Sequence, residues 1–131
     1  MKILIAEDDF VSRRLMQGIL SPYGECHVAV NGREAVEQFK LALKENDNYD
    51  LVCLDIMMPE KDGNEVLREI RDLEDKAGIL GLDGVKIIMT TALDNPRIIM
   101  KAFKDQCEDY IIKPVDKTKL LDKVRKLGLI K

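Results

Sequence analysis

Short apolar runs alternate with stretches of helical period along the whole of this 131-residue sequence. Ile3-Leu4-Ile5-Ala6, Leu51-Val52-Cys53-Leu54 and Ile87-Ile88-Met89 are nearly continuous hydrophobes, the pattern of strands buried on both faces. Strands that alternate with helices run parallel, because each return crossing is a helix laid over one face of the sheet. The pattern therefore predicts an α/β fold with strands at about 2–6, 26–30, 50–54, 85–90 and 108–112. Five such units use up the chain, so a single domain over residues 1–131 is expected, with no linker and no output domain.

The helices announce their starts. The first is expected over about 10–20, with Val11, Leu15 and Ile19 on its inward stripe. Asn31 can cap a second, with Glu34 at capping-box spacing and Ala35, Phe39 and Leu43 facing inward. Asp62 and Glu65 repeat that spacing ahead of Val66, Ile70 and Leu73. Asn95-Pro96 reads as a cap followed by proline at the first helical position. The fifth helix starts at Asp116, presents Leu120, Val124 and Leu127, and stops at Gly128. The segment 74–84 (EDKAGILGLDG) exceeds what a minimal unit needs. It is expected to be an extended helix end and a loop that tucks its own leucines down; the alternative is a loop that contacts a partner.

Four of the five runs end in a residue with chemistry to offer. Glu7 and Asp8 follow the first, Asp55 the third, Thr91 the fourth and Lys113 the fifth. In a doubly wound, flavodoxin-like parallel sheet of strand order 2-1-3-4-5, these tips share one edge and flank the crevice where ligands bind. Two carboxylates ~4 Å apart repel by about 4 kcal/mol at an effective dielectric near 20. A hard cation relieves that repulsion, and Mg²⁺ suits carboxylates combined with phosphate oxygens. A carboxylate can also act as a nucleophile toward phosphorus, with Lys113 and Thr91 neutralising and orienting the transferred group. Asp9 fits either a third pocket acid or a helix start.

The rest of the composition narrows the setting. A formal charge of −3 lacks the basic footprint of nucleic-acid binding. No apolar stretch reaches the ~20 residues of a membrane span, and no signal peptide is visible. Cys26, Cys53 and Cys107 show no ligand spacing and read as reduced thiols in or near the core. His27, the only histidine, reads as a packing or surface residue of the second strand. A cytoplasmic location is expected.

Taken together, Glu7-Asp8, Asp55 with Met57-Met58-Pro59 and Asp62-Gly63, Thr91-Ala92, Tyr110 and Lys113-Pro114 resemble the receiver domain of two-component response regulators. The single-domain, chemotaxis-type members are the nearest likeness, and it extends over essentially the whole chain. The resemblance implies that Asp55 accepts a phosphoryl group from a phosphohistidine on a sensor histidine kinase or phosphotransfer protein. It implies Mg²⁺ held by Asp8, Asp55 and the backbone carbonyl of Met57, with Glu7 acting through water. Thr91 and Lys113 would bind the phosphoryl oxygens. Tyr110 would swing with Thr91 to re-form a face carrying Ile98, Ile99, Lys101, Tyr110 and Lys119 for an unknown downstream protein. Met57 and Leu93 would flank the approach of water, and the Lys113–Pro114 bond would be cis. A monomer or weak homodimer is expected, a signalling protein that catalyses only its own phosphorylation and slow dephosphorylation. The interval from Asp55 to Thr91 is longer than usual for that family, and the extra length falls in 74–84. An aspartyl-phosphate hydrolase would place a second acid two residues after the nucleophile, where this chain has Met57. A nucleotide-binding module would need a glycine-rich phosphate loop, and none is present.

Overall fold

The computed structural model describes residues 1–92 and 94–131. The elements follow the alternation of the sequence: β1 (Lys2–Ala6), α1 (Phe10–Leu20), β2 (Glu25–Ala29), α2 (Gly32–Lys44), β3 (Leu51–Asp55), α3 (Gly63–Lys76), β4 (Lys86–Thr91), α4 (Pro96–Lys104), β5 (Asp109–Ile112) and α5 (Lys117–Lys126). The five strands are parallel in the order β2-β1-β3-β4-β5. The expected strand limits shift by a residue or so. The shift matters at two places, because Asp55 and Thr91 become the last residues of their strands rather than the first beyond them.

Side chains of the sheet divide by the two-residue period of a strand. Leu4, Ala6, Val52, Leu54, Ile87 and Met89 meet Phe39, Val66, Leu67, Ile70 and Ala102 on one face. Ile3, Ile5, Leu51, Cys53 and Ile88 meet Met16, Ile19, Leu20, Leu120 and Val124 on the other. All five helices begin on an Asp or Asn whose side chain accepts a backbone N–H: Asp9 from Ser12, Asn31 from Glu34, Asp62 from Glu65, Asn95 from Arg97 and Asp116 from Lys119. Asp9 is thus a helix cap. Gly128, with φ of 81°, follows the end of α5.

Two expectations need correction. The inward stripe of α1 is Met16, Ile19 and Leu20, while Val11 and Leu15 are exposed. Successive helical residues are rotated by about 100°, so a helix with apolar residues at 15, 16, 19 and 20 has two overlapping stripes. Packing against Ile3 and Ile5 selects the one with Met16. The leucines of 74–84 are not tucked down either: Leu80 is 65% and Leu82 89% exposed, with Ile79 partly buried.

That loop is pinned at its root instead. Glu74, buried at the end of α3, accepts the Val85 amide at 2.6 Å, and its own carbonyl accepts the Ile79 amide at 2.9 Å. Arg71 binds Glu74 at 2.7 Å, the Val85 carbonyl at 2.9 Å, the Gln106 carbonyl at 2.7 Å and Glu108 at 2.7 Å. One guanidinium therefore joins α3, the start of β4 and the turn into β5, and the extra residues bulge outward without disturbing the sheet. This places the insertion at the amino ends of the strands, away from the tips that carry the acids.

Candidate functional site

The tips of β1 and β3 are adjacent, with Ala6 paired to Leu54, so the residues that follow each strand meet. Glu7, Asp8 and Asp55 each present a carboxylate oxygen within 4.8 Å of the others. Glu7 is fully buried, Asp55 is 3% exposed and Asp8 is exposed. The cluster is thus a pocket floor with one acid at its rim. Lys113, just beyond β5, closes the other side: its Nζ lies 3.3 Å from Asp55 Oδ2 and pairs directly with Glu7 Oε1. The peptide between Lys113 and Pro114 is cis. The Lys113 amide donates to the Thr91 carbonyl at 2.7 Å, which ties the lysine to the end of β4.

Burial pushes the Asp55 carboxyl up to about 7, aided by its hydrogen bond with Glu7 and the charge of Glu7, while Lys113 pulls the other way. Burial also acts against the ionised form of Glu7, but hydrogen bonds from Asp55 and Lys113 outweigh it and hold Glu7 below its ordinary range. Lys113 is desolvated, yet its two acidic neighbours keep it above the usual lysine value. The surroundings thus favour the neutral form of Asp55 and the charged forms of Glu7 and Lys113.

The donor set fits a hard divalent cation. Oxygen ligands from three acids crowd into one volume, where a cation would relieve their repulsion. Asp55 Oδ1 also accepts the Met57 amide at 3.2 Å, which folds the following loop back over the acid. Thr91 is fully buried at the end of β4, and its neighbour Thr90 is paired with Asp55. Tyr110, in β5, is half-buried, with its ring edge-on to Phe103 at 5.6 Å and Lys123 Nζ 5.7 Å from its centroid. Met57 is exposed, whereas Leu93 lies outside the described residues. His27 takes no part: its Nδ1 is 2.9 Å from the Tyr49 hydroxyl, on the edge strand β2.

The site also uses residues that the sequence did not single out. Arg13 Nη1 donates to the carbonyls of Glu7 at 3.1 Å and Asp8 at 3.4 Å, bracing the backbone that carries both acids. Its position one turn into α1 after the acids was the only available signal. Gly32 and Gly63 lie against the loop that leaves Asp55.

A parallel sheet with acids at two neighbouring tips and a lysine at a third can hold a divalent cation beside an anionic group. Residues 3–125 match the family model described as the response regulator receiver domain, and the chain belongs to that family. It is 30% identical over 129 residues to the chemotaxis protein CheY of Thermotoga maritima, covering 97% of each chain. Among solved structures it is similar to CheY of Borrelia burgdorferi in its CheX–BeF₃–Mg²⁺ complex, with 26% identity, a TM-score of 0.82 and coverage of 100% and 90% of the two chains. It is also similar to the complex of the Saccharomyces cerevisiae phosphotransfer protein Ypd1 with the Ssk1 receiver domain, with 28% identity, a TM-score of 0.83 and coverage of 98% and 88%. The protein is thus a CheY-like receiver of two-component phosphotransfer signalling, not an enzyme of the classical kind. Among the described residues, no helix is long and apolar enough to cross a membrane.

Proposed function

We propose that Asp55 is the phospho-acceptor, taking a phosphoryl group from the phosphohistidine of a sensor kinase or phosphotransfer protein in the cytoplasm, with Mg²⁺ as cofactor. The observation that carries this reading is the buried Asp55 carboxylate, with Glu7 and Asp8 on one side and Lys113 3.3 Å away on the other. Asp8, Asp55 and the Met57 carbonyl would hold the ion directly, with Glu7 acting through water. When bound, the ion supplies the charge neutralisation that lets a phosphoryl group approach a carboxylate.

Asp55 attacks as its carboxylate, so the proton it holds below about 7 must leave first. An Asp55 oxygen then bonds to phosphorus while the N–P bond breaks, and the electron pair departs with the donor's imidazole. Lys113 Nζ and the Thr91 hydroxyl bind the phosphoryl oxygens. Drawing Lys113 onto the new dianion frees Glu7 from its ion pair, and drawing Thr91 in shifts the end of β4 beside Tyr110. The face of α4, β5 and α5 is thereby re-formed for a downstream protein. Phe10, Val11 and Leu15, exposed on α1 directly after the acids, offer the donor protein an apolar landing beside the pocket. Catalysis is limited to the protein's own phosphorylation and the slow loss of the group.

Incubation with acetyl phosphate and Mg²⁺, followed by intact mass, tests the assignment. The expected result is a gain of one phosphoryl group that is absent from Asp55→Asn. An unmodified parent, or equal gain in the variant, would overturn it.

A further inference from the structure

The loop between Asp55 and α3 carries Met57, and the starts of two helices close on it. Gly32, the first residue of α2, donates its amide to the Pro59 carbonyl at 3.5 Å. A Cβ at Gly32 would lie 2.1 Å from the Lys61 carbonyl oxygen and 2.6 Å from Lys61 Cβ. On the other side Gly63, the first residue of α3, donates to the Ile56 carbonyl at 2.8 Å. A Cβ there would lie 2.3 Å from the Asp55 carbonyl oxygen. The nearest obstacle at each glycine is a backbone oxygen, which cannot swing aside as the end of a flexible side chain can.

Each helix also grips the loop through an ion pair. Glu60 takes the left-handed turn at φ of 72°, and its carboxylate meets Arg33 Nε of α2 at 3.2 Å. Lys61 Nζ meets Glu69 of α3 at 2.9 Å. Gly32 does not have the positive φ that favours glycine; what the position requires is the space. An alanine there would reach ordinary van der Waals separation, 3.4 Å or more, only if the Lys61 backbone moved by more than about 1 Å. Mg²⁺ tolerates little displacement of its ligands, which it holds near-octahedrally at ~2.0–2.1 Å.

We infer that Gly32 is a positioning residue for the phosphoryl site: by admitting the Lys61 backbone against the first turn of α2, it sets where the acceptor loop presents the Met57 carbonyl. The inference rests on the assignment of Asp55 and Met57 above. It makes α2, which contributes no ligand, part of the support of the metal site. Residues that support ligands in this way typically alter metal affinity by about 10–100-fold when changed.

The test compares full-length Gly32→Ala, Arg33→Ala and Gly18→Ala with the parent by Mg²⁺ calorimetry and by the rate of phosphorylation by acetyl phosphate at limiting and saturating Mg²⁺. Gly18 lies on α1 with nothing within 4 Å of an added Cβ, so it controls for a glycine-to-alanine change in a helix. Gly32→Ala is expected to weaken Mg²⁺ about tenfold or more, with the phosphorylation rate largely restored at saturating Mg²⁺. That split would not follow from lower fold stability alone. Arg33→Ala, which loosens the loop without adding bulk, should weaken Mg²⁺ by roughly two- to threefold, and Gly18→Ala should match the parent. A folded Gly32→Ala that binds Mg²⁺ like the parent overturns the inference; should that variant not fold, unchanged affinity in Arg33→Ala overturns it. A parent that neither binds Mg²⁺ nor gains a phosphoryl group overturns the site assignment, and this inference with it.

Discussion

Replacing Asp55 by Asn should stabilise the metal-free protein, and the gain should depend on pH in a way fixed by the pocket. The folded protein holds a proton on Asp55 up to about 7, whereas the ordinary value is 3.8. A raised carboxyl contributes its full share of stability below the unfolded value and loses it as pH rises toward the folded one. Between about pH 4 and pH 7 the parent should therefore fall behind the variant by about 1.4 kcal/mol per pH unit. Above about pH 7 the deficit levels off. Asn reproduces the protonated acid closely, since its amide can donate to Glu7 and carries no charge to oppose it. The assay is urea unfolding of both proteins in EDTA at several pH values, read as the difference in stability so that shared titrations cancel. Added Mg²⁺ should narrow the gap by stabilising the parent selectively. A stability difference that stays constant from about pH 5 to pH 8.5 would refute the raised Asp55 carboxyl.

Other outcomes follow from the same geometry. Asp8→Asn should weaken Mg²⁺ binding sharply in calorimetry, and unchanged affinity would remove Asp8 from the metal site. Arg71→Ala leaves the buried Glu74 carboxylate without its cation and should cost about 3–5 kcal/mol in urea unfolding, with amide exchange accelerated across 77–84; a loss under about 1 kcal/mol would contradict the pinning of that loop. A stable phosphoryl mimic should alter amide exchange in α4, β5 and α5, and changes confined to α1 would contradict the proposed switch. Met57→Asn places a group able to orient water beside the phosphoryl position and should speed its loss roughly tenfold; an unchanged decay would show that Met57 does not limit the water's access.

The parts of this protein that were legible in its sequence are those written in local patterns. Continuous apolar runs marked the buried strands, and an Asp or Asn before each helical stretch marked its cap. The convergence of Glu7, Asp8, Asp55 and Lys113 was readable because a parallel sheet brings strand tips to one edge, whatever the packing details. The α1 stripe was not readable, since Leu15 and Met16 are both apolar and only contact with Ile3 and Ile5 decides between them. Nor was the hub at Arg71, whose partners at Val85, Gln106 and Glu108 are distant in sequence. Its residues look like ordinary surface charges until the fold removes them from water.

Both ends of the sheet set two acids against one cation, with different surroundings. At Arg71 the guanidinium is set between Glu74 and Glu108, and the Val85 and Ile87 amides complete the two carboxylates. That arrangement holds a bulging loop at fixed roots and has no reason to change. At Asp55 two buried acids also face one lysine, but a third, Asp8, joins them within 4.8 Å, and the Asp55 carboxyl is pushed up. A cation that entered would relieve the crowding of the three acids. The fold tolerates this crowding because Arg13 and the two glycines brace the acidic tips and Thr91 holds the lysine.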